Sequence, residues 1–171
     1  MKVFQYNNGN SQFPHREKNW GDIVSYPLVK TISQSDGVEL TNDRVNGKLI
    51  VVGSVLQHLN PTDLVWGGGC IDQNHISARP DKVFAVRGPL TRHELLSKGI
   101  ECPPIYGDPA LLMPYITDYK RKEPKYKYGL IPHYADEYEI EVNNLKKQGV
   151  KVIDICGGFL SSGPSLQLGQ F

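Results

Sequence analysis

A guanidinium at a strand end, beside a glycine that opens a helix, is a ready grip for a phosphate or carboxylate. Arg87 stands in such a place, directly after the apolar run of residues 83–86 and directly before Gly88-Pro89. Pro suits the first position of a helix, and the free N–H groups of a helix start attract anions. A salt bridge or a cap on the neighbouring helix is the ordinary role of a lone Arg; the position favours anion binding. Gly67-Gly68-Gly69 follows a second apolar run, residues 64–66. Glycines let the backbone close on a ligand and can form an anion-binding nest, and they serve a tight turn equally well. The triplet matches neither the phosphate-binding loop nor the dinucleotide fingerprint, so no nucleotide is specified.

A third junction, Tyr106-Gly107-Asp108-Pro109, closes the short run Pro104-Ile105-Tyr106. Gly allows unusual backbone angles, Asp caps a helix and Pro fills its first position, so this is a sharp turn from strand to helix. Asp108 is therefore a capping residue first and a substrate-binding carboxylate second. Asn19, Gly21 and Asp22 lie between the first strand and the first helix, where they either cap that helix or touch a donor or acceptor. His133 follows the run of residues 128–131. At the start of a second unit it would face an interdomain cleft, as a catalytic proton carrier near neutral pH or as a plain surface-turn histidine. His15, His58, His75 and His93 have no metal-like spacing with Cys or carboxylates. No metal site and no cofactor is expected. No Gly-x-Ser-x-Gly elbow is present either.

These residues need strands and helices to hold them. Residues 2–6 read as a first strand, and residues 23–33 as a helix with Asp22 as its cap and Pro27 entering or bending it. Residues 38–40 are a brief strand. Leu49-Ile50-Val51-Val52 is continuous and apolar, as suits a strand buried on both faces of a parallel sheet. Residues 64–66 and 83–86 repeat that pattern. Residues 89–98 form a helix with Gly99 just past its end. The alternation predicts an α/β, Rossmann-like domain with a mainly parallel sheet over residues 1–119. Residues 120–127 read as a linker, and residues 128–171 as the start of a second α/β domain. In that second part a strand at 128–131, a helix at 135–148 and a strand at 150–155 make one β-α-β unit. One such unit cannot bury a parallel sheet on both sides, so the second domain is expected to be incomplete, with a loosely ordered Gly- and Ser-rich tail. Ligands of such sheets bind beyond the carboxyl ends of the strands, where Arg87 and the glycines fall.

Composition excludes several classes. Among 171 residues, 39% are hydrophobic and 22% charged, as in a globular protein. The 19 basic and 18 acidic residues nearly cancel, so bulk charge supports no nucleic-acid partner and no anionic membrane. The basic cluster Lys120-Arg121-Lys122, Lys125 and Lys127 is interrupted by Glu123-Pro124 and reads as a solvated linker before a binding patch. Cys70, Cys102 and Cys156 are far apart and cannot all pair, which suits a reducing compartment. The amino terminus turns polar too early for a signal peptide, and no apolar run is long enough to span a bilayer. A cytoplasmic location with no integral membrane segment is expected.

Taken in order, Asn19-Trp20-Gly21-Asp22, Val65-Trp66-Gly67-Gly68-Gly69, Ala85-Val86-Arg87-Gly88-Pro89-Leu90-Thr91, Tyr106-Gly107-Asp108-Pro109 and Leu130-Ile131-Pro132-His133-Tyr134 resemble the polysaccharide pyruvyl transferase family. The resemblance covers residues 19–155. It implies two Rossmann-like domains in the glycosyltransferase-B arrangement. The implied reaction moves a pyruvyl group from phosphoenolpyruvate to a sugar of a cell-surface polysaccharide. It implies partners as well: phosphoenolpyruvate, and a glycan or lipid-linked sugar acceptor, with a homo-oligomer open. Arg87 matches the Arg that the family offers to phosphoenolpyruvate. Family members continue into a Ser-rich segment and Leu-His-Gly, which this chain lacks. That departure predicts a truncated second domain and little or no turnover. It leaves open a sugar-nucleotide glycosyltransferase and a non-catalytic ligand-binding domain.

Overall fold

The structure, a computed structural model, describes residues 1–6, 19–41, 45–72, 76, 78–117, 123–133, 135–136 and 139–156. Tyr134, Glu137, the basic triplet at 120–122 and the Gly/Ser-rich tail lie outside the described residues. The chain divides into two compact units, one of Met1–Asn7 with Gly21–Ile116, the other of Asn8–Trp20 with Thr117–Phe171.

The first unit is an α/β fold on a five-stranded, wholly parallel sheet. Its strands are β1 (Lys2–Phe4), β2 (Glu39–Thr41), β3 (Lys48–Ile50), β4 (Leu64–Trp66) and β5 (Lys82–Ala85), in the order β2-β1-β3-β4-β5. A lone parallel bridge between Val86 and Tyr106 adds a sixth position beyond β5. The order reverses at β1, so the carboxyl ends of β1 and β3 diverge at a switch point. β3 is buried along its whole length, and Val51 and Val52 continue the buried run, as a central parallel strand requires. Phe4, Ile50, Leu56, Val65, Val86 and Leu95 join in one core cluster.

The helix expected at 23–33 starts two residues later, and a separate short helix precedes it. α1 spans Trp20–Ile23 and α2 spans Ser25–Ser33. Asp22 therefore lies inside α1 instead of capping a helix behind it, and Val24 at the start of α2 makes no side-chain cap. Pro27 falls in the first turn of α2, where a missing N–H costs no helical bond. Ser25 is buried, and its hydroxyl accepts the backbone N–H of Val52 at 3.2 Å, which ties α2 to the end of the β3 run. α3 (Pro89–Ser97) has Pro at its first position, and Gly99 takes the left-handed φ of +69° that ends it. From β3 to β4 the chain crosses with only a 3-10 turn at Leu56–His58. A second 3-10 turn, Pro109–Leu112, runs into α4 (Met113–Ile116).

Lys48 and Asp63 are both fully buried where β3 and β4 begin, with Nζ and Oδ2 2.6 Å apart. Asp63 also accepts the backbone N–H groups of Lys48 at 3.1 Å and Asn60 at 2.8 Å, and the ammonium donates to the Val45 carbonyl at 3.2 Å. A buried pair is tolerated when its remaining donors and acceptors are filled in this way.

The second unit pairs β6 (Gly129–Leu130) in parallel with β7 (Lys151–Val152), with α5 (Ile140–Lys147) between them. α5 is shorter than the expected 135–148. Ala135-Asp136 is a turn, closed by Asp136 N–H to His133 carbonyl at 2.8 Å and Glu139 N–H to Asp136 carbonyl at 3.0 Å. Among the described residues no helix is long and apolar enough to cross a membrane.

Candidate functional site

Four loops meet at the carboxyl edge of the first unit's sheet. They leave β3 at Gly53-Ser54, β4 at Gly67, β5 at Arg87 and the sixth position at Gly107. Backbone bonds tie them together. Gly67 N–H donates to Ala85 carbonyl at 2.8 Å, Gly69 N–H to Gly53 carbonyl at 2.9 Å, Arg87 N–H to Gly68 carbonyl at 3.2 Å and Gly107 N–H to Val86 carbonyl at 3.1 Å.

Each glycine of the triplet answers a different steric demand. Gly67 holds φ at +91°, and a Cβ there would strike the ring of Pro109. The Gly-Asp-Pro turn thus packs directly on the first glycine of the triplet. A Cβ on Gly68 would press on Ile50 Cγ2 at 3.0 Å and Leu56 Cδ2 at 3.2 Å, so this glycine closes the core. A Cβ on Gly69 would lie 2.7–2.8 Å from Nη2, Cζ and Nε of Arg87. The last glycine is the floor on which the guanidinium rests.

Nη2 of Arg87 donates to the Ser54 hydroxyl at 2.8 Å and to the Cys70 carbonyl at 3.5 Å. The side chain is exposed, and among the described residues no carboxylate pairs with it. Among the described residues one nitrogen anchors the group, while Nη1 and Nε make no bond there and keep their donors. The helix that follows begins at Gly88 without a side-chain cap, so its first N–H groups stay open beside the same edge. Thr91, buried in α3, accepts the backbone N–H of Cys70 at 3.3 Å and pins the loop that carries Arg87's second acceptor. Burial pushes the Cys70 thiol up, with Glu94 adding to the effect, so at neutral pH it is a neutral neighbour of the guanidinium. All three cysteines are free thiols.

The other sequence candidates fall as follows. Asp108 caps the Pro109–Leu112 turn, its Oδ1 accepting Ala110 N–H at 3.0 Å. It belongs to the same edge through Gly107 but is committed to the turn. Asp22 sits in α1, and the polar contacts of Arg87 go to Ser54 and Cys70 instead. Asn19 directly precedes α1. His133 is exposed in the turn after β6, and its Nδ1 accepts Ala135 N–H at 3.3 Å. Among the described residues no group of His, Cys, Asp and Glu is arranged to hold a metal ion. Ser54 is the residue that sequence reading missed; its signal is Gly53-Ser54 at the end of the buried run 49–52.

A groove of about 580 Å³ lies at the other end of β5, lined by Lys82, Val83, Leu96, Ile100 and Glu101 among others. It borders the amino ends of the strands, where open parallel sheets do not place their ligands. The carboxyl edge, with its anchored cation, is the better site.

The chain is similar to an uncharacterized protein of Acanthamoeba polyphaga mimivirus, 33% identical over 126 residues. That stretch covers 71% of this chain and 44% of the relative, so the chain spans less than half of the relative's length. No protein-family model matches the chain, and no solved structure matches it.

Proposed function

We propose that this chain is a polysaccharide pyruvyl transferase-like protein whose first unit binds phosphoenolpyruvate at the carboxyl edge of its sheet. The observation that carries the reading is Arg87, held over Gly69 by Ser54 and the Cys70 carbonyl, with two guanidinium nitrogens open beside an uncapped helix start. Phosphoenolpyruvate presents a phosphate and a carboxylate, and a forked cation plus helix N–H groups suits both. The glycosyltransferase-B arrangement belongs to the same proposal, with the sugar acceptor approaching from a second Rossmann-like domain.

The reaction balances without an oxidant or a metal. A proton adds to the methylene carbon of phosphoenolpyruvate, which becomes a methyl group. A sugar hydroxyl attacks the adjacent cationic carbon and forms the first C–O bond. A second hydroxyl forms the other C–O bond as the bond to phosphate breaks, and inorganic phosphate leaves. The two hydroxyl protons are accounted for, one by the methyl group and one by the departing phosphate. In this scheme Arg87 holds the anion through all steps and gains most as charge gathers on the leaving phosphate. Ser54 and Gly69 position Arg87.

The test is a thermal melt with phosphoenolpyruvate and, separately, with a sugar nucleotide. A ligand at a hundredfold its Kd stabilises by about 2.7 kcal/mol. We expect phosphoenolpyruvate to raise Tm and the sugar nucleotide to leave it unchanged. The opposite pattern would favour a sugar-nucleotide glycosyltransferase, and no shift with either would favour a domain of other specificity.

A further inference from the structure

Thr91 breaks a local rule. A β-branched residue inside a helix gives up helix propensity, and a buried hydroxyl needs a partner that a buried valine does not. Thr91 is nevertheless buried in α3, one turn beyond Arg87, at 6% exposure. What its hydroxyl holds is the peptide between Gly69 and Cys70. The N–H of that peptide donates to Thr91 Oγ1 at 3.3 Å, and its carbonyl accepts Leu56 N–H at 3.2 Å. The same peptide carries the floor of the guanidinium, at Gly69, and the next carbonyl, that of Cys70, accepts Nη2 at 3.5 Å. A ring of contacts therefore closes. The Arg87 backbone runs through Gly88 into α3, α3 holds Cys70 through Thr91, and Gly69 and Cys70 hold the Arg87 side chain. The ring fixes the guanidinium and the start of α3 to each other.

We infer that Thr91 is a positioning residue that determines specificity: it sets the spacing between Arg87 and the start of α3, so that a ligand with two anionic groups engages both. The inference rests on the pyruvyl transfer reading, in which Arg87 takes the phosphate of phosphoenolpyruvate and the N–H groups of α3 take its carboxylate. Two grips at a fixed spacing act on such a ligand as linked sites. Once the first is engaged, the second meets its group at a high effective concentration, and that gain is lost when the spacing varies. An ion with a single anionic group draws no such gain. Without the Thr91 hydroxyl the part-buried N–H of Cys70 loses its acceptor, its peptide turns to find another, and the floor moves. The guanidinium then keeps its charge and its grip on phosphate but loses its register with the helix.

The test is calorimetric titration of phosphoenolpyruvate and, separately, of inorganic phosphate into wild type, Thr91→Val and Thr91→Ser. Valine keeps the shape and removes the acceptor, while serine keeps the acceptor. Thr91→Ala, which removes the same acceptor, replaces a valine variant that does not fold. We expect Thr91→Val to weaken phosphoenolpyruvate about five- to tenfold, the worth of one hydrogen bond, and inorganic phosphate less than about twofold. Thr91→Ser should bind both as wild type does. Unchanged phosphoenolpyruvate affinity in Thr91→Val, equal weakening of both ligands, or the same loss in Thr91→Ser would overturn the inference. Failure of the folded wild type to bind phosphoenolpyruvate would instead contradict the pyruvyl transfer reading. A ligand-free measurement judges the positioning by itself. The Arg87 Nε–H resonance, identified by its absence in Arg87→Ala, should move in Thr91→Val and stay in place in Thr91→Ser. A resonance that does not move in Thr91→Val would overturn the inference whatever the ligands do.

Discussion

Gly67 and Gly69 stand two residues apart in one loop and fail differently when a methyl group is added. At Gly67 the backbone is left-handed and the ring of Pro109 occupies the space a Cβ needs. Neither can yield cheaply, so Gly67→Ala should cost about 2–5 kcal/mol from strain and overpacking. At Gly69 the obstacle is the far end of a flexible side chain. Gly69→Ala should push the guanidinium off Ser54 with a much smaller loss of stability and, on the proposed function, should abolish stabilisation by phosphoenolpyruvate. Urea unfolding with and without the ligand separates the two effects. Equal destabilisation by both changes would show that Gly69 serves only the fold. A sequence of three glycines shows that something approaches closely, but what approaches each of them is visible only once Pro109 and Arg87 are in place.

The elements were legible where a continuous apolar run leaves little choice. Leu49-Ile50-Val51-Val52 and Leu64-Val65-Trp66 have to be central parallel strands, and Pro89 and Gly99 bracket α3 as their backbone preferences demand. Legibility fell where local hydrogen bonds compete with helix. The Ala135-Asp136 turn delays α5 to Ile140. The buried Lys48–Asp63 pair was not legible at all. It joins residues fifteen apart that look like ordinary surface charges until β3 and β4 lie side by side. This pair sets how the two strands start, so its loss belongs to the elements. Asp63→Ala strands an ammonium and two backbone N–H groups and should destabilise by about 3–5 kcal/mol. Lys48→Met leaves Asp63 two backbone donors and should cost less. Chemical denaturation of both variants checks the order, and a larger loss for Lys48→Met would contradict it.

At the scale of the molecule, the parallel order β2-β1-β3-β4-β5 gathers the carboxyl ends of the first unit's five strands on one edge. That is why residues as distant in sequence as Ser54, Gly69, Arg87 and Asp108 converge there, and why the amino-end groove is left to the connections. The pyruvyl transfer reading needs this edge of the first unit to recognise phosphoenolpyruvate through Arg87, whatever the second unit contributes to turnover. Calorimetric titration of phosphoenolpyruvate into wild-type protein and Arg87→Ala addresses that need directly. A lost charge-assisted hydrogen bond is worth about 1.5–3 kcal/mol, so affinity should fall roughly ten- to a hundredfold in the variant. Saturable binding by the wild type with that loss is the result we expect. Absence of binding by the folded wild type, or equal affinity in Arg87→Ala, would contradict the assignment of this edge as the phosphoenolpyruvate site.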